Sequence, residues 1–283
     1  MKRSYLHFSH IVERVKSQNH PVRFLLSRVL WLLRLSSIFT IPLSHGAKIK
    51  FYPTSTSAAL WVQPDCFDAE GVNFIWDYLK EGDTFVDVGA NIGHLTVISA
   101  KKIRKGQAIS IEPHQRIFAF LQKNIAFNKL ENVKAYNLAA GEKQGTLHFS
   151  HMRSDDQNFV ADNGPVHVQM QRLDDIVNVS KVDLLKIDVE GYELFVLRGA
   201  LNVLSKTSVI YFESYETLFE RYHYTLKDIL QLLGEHHFRT YRFINDHTLQ
   251  EVGSNYSSKE CENLLAIKDI DSFKQRMKKI NIT

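Results

Sequence analysis

The chain has 283 residues, of which 44% are hydrophobic and 23% are charged, so wholesale disorder, collagen-like repeats and a coiled coil are excluded. Two cysteines, Cys66 and Cys261, are too few for a disulfide framework or a Cys-x-x-Cys metal site, and a reducing compartment is expected. The net charge is +4, but the charges are distributed unevenly along the chain. Residues 1–50 hold nine basic residues and one acid, and residues 268–283 hold five basic and two acidic residues. The stretch between these two segments is acidic.

The most hydrophobic stretch of the chain covers residues 24–43. Arg28 and Arg34 interrupt it, and moving two arginines into a bilayer costs about as much free energy as the apolar residues gain, so a membrane-spanning helix is not expected. A signal peptide also fits poorly, because no small-residue cleavage site precedes Pro42. Two interpretations stay open for this helical extension, residues 1–45: a basic helix at the membrane interface, or a helix packed on the protein's own core.

The rest of the chain, residues 46–283, alternates short apolar runs with amphipathic stretches, which predicts one α/β domain with a mostly parallel, doubly wound sheet. Residues 47–52 alternate as in a short strand, and Asp68 is a candidate cap for a helix that Gly82 ends. The strands predicted after this helix are 84–88, 108–112, 133–138, 146–150, 166–171, 182–188, 209–213, 238–244 and 264–268. The predicted helices are 92–103, 114–128 (with Phe118, Leu121, Ile125 and Phe127 facing inward), 192–205 and 226–234.

The sharpest motif is the segment DVGANIG, residues 87–93, which directly follows a buried strand and opens a helix. Gly89 permits a tight turn, and Gly93 permits a close approach of the helix to the strand or to a ligand. Glu112 ends the next strand, at the spacing where a carboxylate accepts hydrogen bonds from two ribose hydroxyls. Together these features indicate a cofactor that contains a nucleoside.

The charge of the loop favours one class of cofactor. A dinucleotide pyrophosphate is typically bound by a Gly-x-Gly-x-x-Gly loop, whose bare amides face the phosphates. Here Gly89 and Gly93 are four residues apart, with Asn91 between them, and Asp87 is unfavourable beside a phosphate. A carboxylate suits the sulfonium and ammonium groups of S-adenosylmethionine, so this cofactor is favoured over a nicotinamide.

The motifs resemble those of the FkbM family of S-adenosylmethionine-dependent methyltransferases, through the segments FVDVGANIG, SIEP and VDLLKIDVEGYELFVLRGA. The similarity covers the chain from about residue 46 to about residue 215, and KIDVEGYE is its most specific part. The resemblance implies the class I methyltransferase (Rossmann-like) fold, with a seven-stranded sheet whose last strand is antiparallel. It also implies O-methylation, often of sugar hydroxyls in polysaccharides, glycolipids or glycosylated natural products.

The resemblance assigns cofactor-binding roles by position. It implies that the methionine portion of the cofactor contacts the loop residues Asp87, Gly89, Ala90, Asn91 and Gly93. It implies that Glu112, beside Pro113, holds the ribose. It also implies that residues 137–139, including Asn137 and Ala139, border the adenine. Two positions depart from the family pattern. His94 stands where an aromatic residue is common, and His114 stands where a small polar residue is common.

Methyl transfer to an alcohol requires the acceptor oxygen to lie near the methyl carbon and to lose its proton, so a base or a metal ion is expected. Asp188 and Glu190 follow the fourth parallel strand and Glu213 ends the fifth, and we predict that these three carboxylates form the catalytic cluster. Three such oxygen donors also suit Mg²⁺ or Mn²⁺. The alternatives are an ion pair of Asp188 with Lys186, a helix-dipole role for Glu190, and a histidine base, His94 or His114.

The acceptor site is expected in residues 141–171 and 214–224, which interrupt the regular alternation of strands and helices beside the cofactor edge. A small-molecule, glycan or glycolipid acceptor is predicted, and the acidic middle of the chain disfavours a nucleic acid. A cytoplasmic location is expected. If the helical extension is a helix at the membrane interface, residues 21–43 would contact the inner face of the membrane. Two other functions stay open: a catalytically silent scaffold in a membrane-associated glycan-assembly complex, and a nicotinamide-dependent dehydrogenase.

Overall fold

The computed structural model describes residues 15, 20–33, 35, 37, 39–62, 69–150, 159–160 and 164–283 of the chain. The predictions that involve Arg34, Cys66 and Asp68 lie outside these described residues, as does most of the loop around residues 151–163. Within the described ranges, every helix is too short or too polar to cross a bilayer.

Strands and helices alternate along most of the described chain. The strands are β1 Thr40–Pro42, β2 Lys48–Lys50, β3 Thr84–Val88, β4 Gln107–Ile111, β5 Val133–Tyr136, β6 Ala139–Ala140, β7 Gly145–Phe149, β8 Val166–Gln171, β9 Val182–Ile187, β10 Thr207–Ser214, β11 Arg239–Asn245, β12 Thr248–Glu251, β13 Glu262–Ile267 and β14 Asn281–Ile282. The helices are α1 Pro21–Leu32, α2 Thr56–Val62, α3 Ala69–Tyr78, α4 His94–Lys102, α5 Gln115–Phe127, α6 Leu173–Ile176, α7 Glu193–Arg198, α8 Leu201–Ser205, α9 Glu216–Glu220, α10 Leu226–Glu235 and α11 Ile270–Arg276.

Nine of the described strands form the main sheet, in the order β14-β12-β11-β13-β10-β9-β3-β4-β5. The five strands from β10 to β5 are parallel, and β13 runs antiparallel between β10 and β11. This arrangement confirms the predicted doubly wound, Rossmann-like sheet, with one antiparallel strand, β13, among the seven strands from β11 to β5. The predicted number of strands was too low, because β12 and β14 extend the sheet beyond β11, and segments of two to four residues show no readable periodicity.

The core lies on both sides of the main sheet, because successive side chains of a strand point to opposite sides. Every residue of β9 is buried, as expected for a central parallel strand. Leu185 and Ile187 pack in one cluster with Leu194 of α7, and Leu184 packs in a second cluster with Leu95 of α4. Since β3, β4, β9 and β10 are parallel, their carboxyl ends meet at one edge, and the loops that follow them form the candidate site.

Three local predictions differ from the structure. The helix predicted over residues 192–205 is two helices, α7 and α8, separated by Gly199 and Ala200. At Gly199 the backbone of Gly141 approaches so closely that a side chain would collide with its carbonyl oxygen. Phe127 was predicted to face inward but is 39% exposed, with the Lys50 ammonium over its ring. The N-terminal extension is not wholly helical, since β1 pairs with β2 and the extended conformation favoured before Pro42 places Ile41 in the core.

Candidate active site

A cavity of about 420 Å³ lies at the carboxyl ends of β3, β4, β9 and β10. Its volume is in the range of pockets that bind small molecules and cofactors. The predicted site residues that line it are Gly89, Asn91, Glu112, Pro113, Ala139, Asp188, Glu190 and Glu213. The predicted residues that are not part of its lining are Asp87, Ala90, Gly93 and Asn137. The cavity therefore brings the cofactor loop and all three predicted catalytic carboxylates together.

The loop after β3 is held tightly against the neighbouring strand ends. Gly89 has φ +77° and both its amide and that of Ala90 donate to the carbonyl oxygen of Ile111, at 3.0 Å. A Cβ atom at Gly89 would collide with the carbonyl oxygen of Asp188, so the backbones after β3 and β9 touch at this point. Only glycine fits both the left-handed conformation and the close approach.

A buried lysine connects this loop with the end of β9. The Lys186 ammonium lies 3.3 Å from both Asp87 Oδ1 and Asp188 Oδ2, and donates to the carbonyl oxygen of Gly89 at 2.8 Å. Lys186 is 3% exposed and Asp87 is 1% exposed, and Thr96 Oγ1 donates to Asp87 Oδ2 at 2.6 Å. The charge of Asp87 is thus balanced beneath the cavity floor, whereas the side chain of Asp188 is 43% exposed and faces the cavity.

Glu112 is held by two backbone amides at the end of β4. Its Oε2 accepts from the amide of Asn91 at 2.9 Å, and its Oε1 accepts from the amide of His114 at 2.8 Å. Burial raises the pKa of Glu112 to about 7, although the two amides oppose this shift. Each carboxylate oxygen has more than one lone pair, so Glu112 can still accept hydrogen bonds from two ligand hydroxyls.

The predicted adenine border is arranged around Asn137. The Asn137 side chain donates to the carbonyl oxygens of Glu112 and Pro113, both at 2.9 Å, and so holds the end of β4. Ala139, in β6, lines the cavity. Of the predicted border, Ala139 is thus placed for direct contact and Asn137 supports Glu112 from outside the cavity.

The loop after β9 is fastened by Glu193, a residue that the sequence analysis did not single out. Its carboxylate is fully buried and accepts from the amides of Val189 and Gly191, at 3.0 and 3.3 Å. Burial raises the pKa of Glu193 to about 7. An acidic residue in the first turn of a helix, directly after a strand-end loop, is the signal that would have identified it.

Glu213, the third predicted catalytic carboxylate, has a raised pKa. Burial, together with the negative charges of Asp188, Glu193 and Glu190, raises the pKa of Glu213 to about 9. Its Oε1 accepts from the Cys261 thiol at 3.2 Å. Glu213 therefore carries a proton at neutral pH, which suits a hydrogen-bond donor and not the base that the sequence predicted.

The predicted divalent cation finds no preformed site in the described part of this edge. Asp188 is already paired with the Lys186 ammonium, at 3.3 Å. Among the described residues, no three His, Cys, Asp or Glu side chains are grouped so that they could hold a metal ion. The residues at this edge therefore do not fit a resident Mg²⁺ or Mn²⁺, and we assign no step to one.

The raised pKa values predict that the folded protein loses stability as the pH rises. Glu112, Glu193 and Glu213 titrate near 7, 7 and 9 when folded, above their ordinary value of 4.5. Their contribution to stability is complete below pH 4.5 and is lost as the pH rises through these folded values. Urea unfolding between about pH 5 and pH 9 measures this loss. Glu213→Gln should raise the free energy of unfolding at pH 8 by on the order of 2 kcal/mol, because glutamine needs no proton.

The exposed Glu220 offers a matched control, because Glu220→Gln changes the same group outside the cavity. This variant should keep the pH dependence of the wild type. A free energy of unfolding that increases from pH 5 to pH 9, or a Glu213→Gln protein that is less stable than wild type at pH 8, would contradict the assignment.

The predicted acceptor region contributes apolar side chains to the cavity. Leu147 and Phe149 of β7, together with Val160, line it beside Tyr192. Leu147 and Phe149 belong to the three-stranded sheet β6-β8-β7, which forms one wall, and Val160 pairs with Phe149 in an isolated bridge. The second predicted region, residues 214–224, supports this wall, since the Tyr222 hydroxyl donates to the carbonyl oxygen of Val160 at 3.0 Å. His94 and His114, the alternative bases, also line the cavity.

Known proteins match this part of the chain. Residues 87–243, more than half of the chain, match the methyltransferase FkbM domain. Methyltransferase 1 of Beauveria bassiana is 30% identical over 145 residues, and the match covers 41% of this chain and 58% of that protein, which is less than two thirds of its length. The 2-O-methyltransferase NoeI of Sinorhizobium fredii is 26% identical over 178 residues, with 54% of this chain and 72% of that protein covered. The hexuronic acid methyltransferase AglP of Haloferax volcanii is 26% identical over 170 residues, with 58% and 66% covered.

Proposed function

This chain belongs to the FkbM methyltransferase family, and from that premise we propose that it transfers the methyl group of S-adenosylmethionine to a hydroxyl of a sugar in a glycan, a glycolipid or a glycosylated natural product. The family match supports the reaction class that the motifs predicted. The relatives NoeI and AglP, named for 2-O-methylation and for hexuronic acid, support a sugar acceptor.

The cavity floor supports S-adenosylmethionine as the methyl donor. Gly89 lines the cavity with backbone atoms alone, which a ligand can approach closely. Glu112 offers a fixed carboxylate to the two ribose hydroxyls. The carboxylates of Asp188 and Glu190 lie in the same cavity and complement the positive charge of the donor. When bound, the donor supplies a methyl group that is electrophilic because it is attached to a sulfonium.

One observation carries the acceptor chemistry: Asp188 presents a partly exposed carboxylate to the cavity while the buried Lys186 fixes its position. As the acceptor oxygen attacks the methyl carbon, the C–O bond forms and the C–S bond breaks. Asp188 takes the hydroxyl proton, and the neutral thioether S-adenosylhomocysteine leaves. Protonated Glu213 donates a hydrogen bond at the same edge and so helps to orient the acceptor.

Labelled S-adenosylmethionine, incubated with extracted glycolipids and polysaccharide precursors, tests this function. The wild-type protein should label an acceptor, with and without a chelator. Asp188→Asn should lower turnover by about 100-fold or more, because asparagine accepts no proton, while binding of S-adenosylhomocysteine is retained. Glu112→Gln should weaken that binding instead, since one oxygen that accepts a ribose hydroxyl is replaced by an amide donor.

Asp246→Asn, at an exposed carboxylate that is not part of the cavity lining, is the control and should leave turnover and binding unchanged. Binding of S-adenosylhomocysteine without labelling of any acceptor would favour the silent scaffold over the enzyme. Calorimetric binding of a nicotinamide dinucleotide in place of S-adenosylhomocysteine would favour the dehydrogenase.

A further inference from the structure

Helix α1 presents a stripe of apolar side chains to solvent. The stripe consists of residues that are between 41% and 76% exposed: Val22, Leu25, Leu26, Val29, Leu32 and Leu33. Their spacing of three and four residues places them on one side of the helix. On the other side, Leu30 is buried in a cluster with Ile41 of β1 and Leu60 of α2. The helix is thus apolar toward the protein and also toward water.

This exposure is concentrated in one place. Ten large hydrophobic side chains of the described residues are exposed, and seven of them lie between Val22 and Leu35. The other three, Phe127, Leu201 and Ile244, belong to separate elements. Single exposed apolar residues are normal on a protein surface, whereas a contiguous patch marks an interaction site.

Cations flank the stripe. At about 100° per residue, Arg23 and Arg28 fall on its two sides. The Arg23 guanidinium lies over the Trp61 ring at 4.8 Å, and that of Arg28 lies over the Phe24 ring at 4.9 Å. The first 50 residues hold nine basic residues and a single acid, Glu13. An apolar stripe between cations, in a strongly basic segment, matches the surface of an anionic membrane.

A second copy of the chain fits this surface less well. An isologous contact through α1 would bring two basic segments together, and like charges oppose such a contact. We infer that α1 docks the protein on an anionic lipid bilayer, with the apolar stripe at the boundary of headgroups and acyl chains and the arginines beside lipid phosphates. A helix of 12 residues lies in the plane of such a surface and does not span it.

The docking helix is connected to the cavity through α2. Arg23 donates to the carbonyl oxygen of Trp61 in α2 at 3.4 Å. Thr56, at the start of α2, lines the cavity and donates to Asn91 Oδ1 at 3.2 Å. Helix α2 thus contacts the docking helix at Trp61 and the cavity lining at Thr56, so docking turns this side of the cavity toward the lipid headgroups. The docking itself does not depend on the proposed reaction.

Flotation of the full chain with lipid vesicles tests the inference. We expect at least about tenfold more binding to vesicles of phosphatidylcholine mixed with phosphatidylglycerol than to phosphatidylcholine alone, and this difference should shrink as salt is added. Leu25→Gln/Val29→Gln should lower binding to the mixed vesicles by about tenfold, because it interrupts the apolar stripe. Arg28→Gln should also lower it, and should weaken its dependence on salt.

The chain provides a matched control, Leu201→Gln/Ile244→Gln, whose side chains are 44% and 47% exposed, against 46% and 48% for Leu25 and Val29. The control should bind vesicles as the wild type does. Retained S-adenosylhomocysteine binding and an unchanged melting temperature show that each variant is folded, and Arg28→Gln tests the inference even if the stripe variant does not fold.

Equal recovery on the two kinds of vesicle, or undiminished recovery of Leu25→Gln/Val29→Gln, would overturn the inference. So would self-association that the stripe variant abolishes in the absence of any vesicle binding, since this result assigns the stripe to a second copy. Because the readout is lipid binding, it is independent of methyl transfer, and a failure of the proposed function is recognised separately.

Discussion

Gly89→Ala is expected to remove cofactor binding and to destabilise the folded protein by about 2–5 kcal/mol. The left-handed backbone at φ +77° costs an alanine about 1–2 kcal/mol. The added Cβ also collides with the carbonyl oxygen of Asp188, and such overpacking costs about 1–3 kcal/mol more. Relief of the collision must push the loop after β3 away from the loop after β9, which separates the two halves of the cavity floor. Urea unfolding and calorimetry with S-adenosylhomocysteine measure the two effects.

The variant Gly82→Ala measures the cost of the left-handed backbone alone, without a collision of the added Cβ. Gly82 also has a positive φ, +91°, but no atom lies within 4 Å of the position that its Cβ would take. This variant should lose only about 1–2 kcal/mol and should bind the cofactor as the wild type does. If Gly89→Ala were no less stable than Gly82→Ala and bound S-adenosylhomocysteine normally, the tight contact between the two loops would have no role in forming the site.

Lys186→Met is expected to cost about 3–5 kcal/mol of stability, because it leaves the buried carboxylate of Asp87 without its cation. Burying an unpaired carboxylate is unfavourable, so the loss should exceed that expected for an exposed ion pair. Urea unfolding of the wild type and the variant at the same pH measures the difference.

The double variant Lys186→Met/Asp87→Asn distinguishes two roles of Lys186: stabilising the fold by neutralising Asp87, and positioning Gly89 and Asp188 at the cavity. Removing both charges should recover much of the lost stability. Binding of S-adenosylhomocysteine should remain weak, because the carbonyl oxygen of Gly89 and the carboxylate of Asp188 still lack the ammonium that holds them. Full recovery of both properties would mean that Lys186 only neutralises Asp87.

Lys181→Met is the control for this pair of variants. Lys181 forms a similar contact, 2.6 Å from Asp183 Oδ1, but its side chain is 58% exposed. Because Lys181 is mostly exposed and Asp183 keeps a second cation, Arg276 at 3.1 Å, this substitution should cost about 1 kcal/mol or less. A loss as large as that of Lys186→Met would show that burial is not the cause of the difference.

Local sequence patterns were sufficient for the central strands and the cofactor loop. The strand over residues 84–88 appears as predicted, and β9 differs from its predicted bounds by one residue. Both are mostly apolar runs, TFVDV and VDLLKI, which predict buried parallel strands without reference to the rest of the chain. The left-handed turn at Gly89 is likewise a local property of the DVGANIG segment. The short strands β12 and β14 were not predicted, because they form only by pairing with β11 and with each other.

The residue types at the cavity edge were readable from the sequence, but their charge states were not. Asp188, Glu190 and Glu213 follow strand ends that a parallel sheet brings to one edge, so their convergence could be predicted. The proton on Glu213 depends on its burial beside three other carboxylates, and Glu193, one of these, was not singled out. In the same way, the sequence predicts that the carboxylate of Asp87 balances the positive charge of the cofactor. In the structure its charge is balanced instead by Lys186, which is 99 residues later in the chain.

The sequence by itself determined the elements and motifs whose information lies within a few residues: the buried strands, the glycine turn, the family signature and the basic N-terminal segment. The tertiary structure alone decided which carboxylates are neutral, which one is paired beneath the cavity, and which side of α1 meets the solvent. The physical reason is that desolvation, ion pairing and exposure depend on neighbours that are distant along the chain, and only the folded arrangement brings these neighbours together.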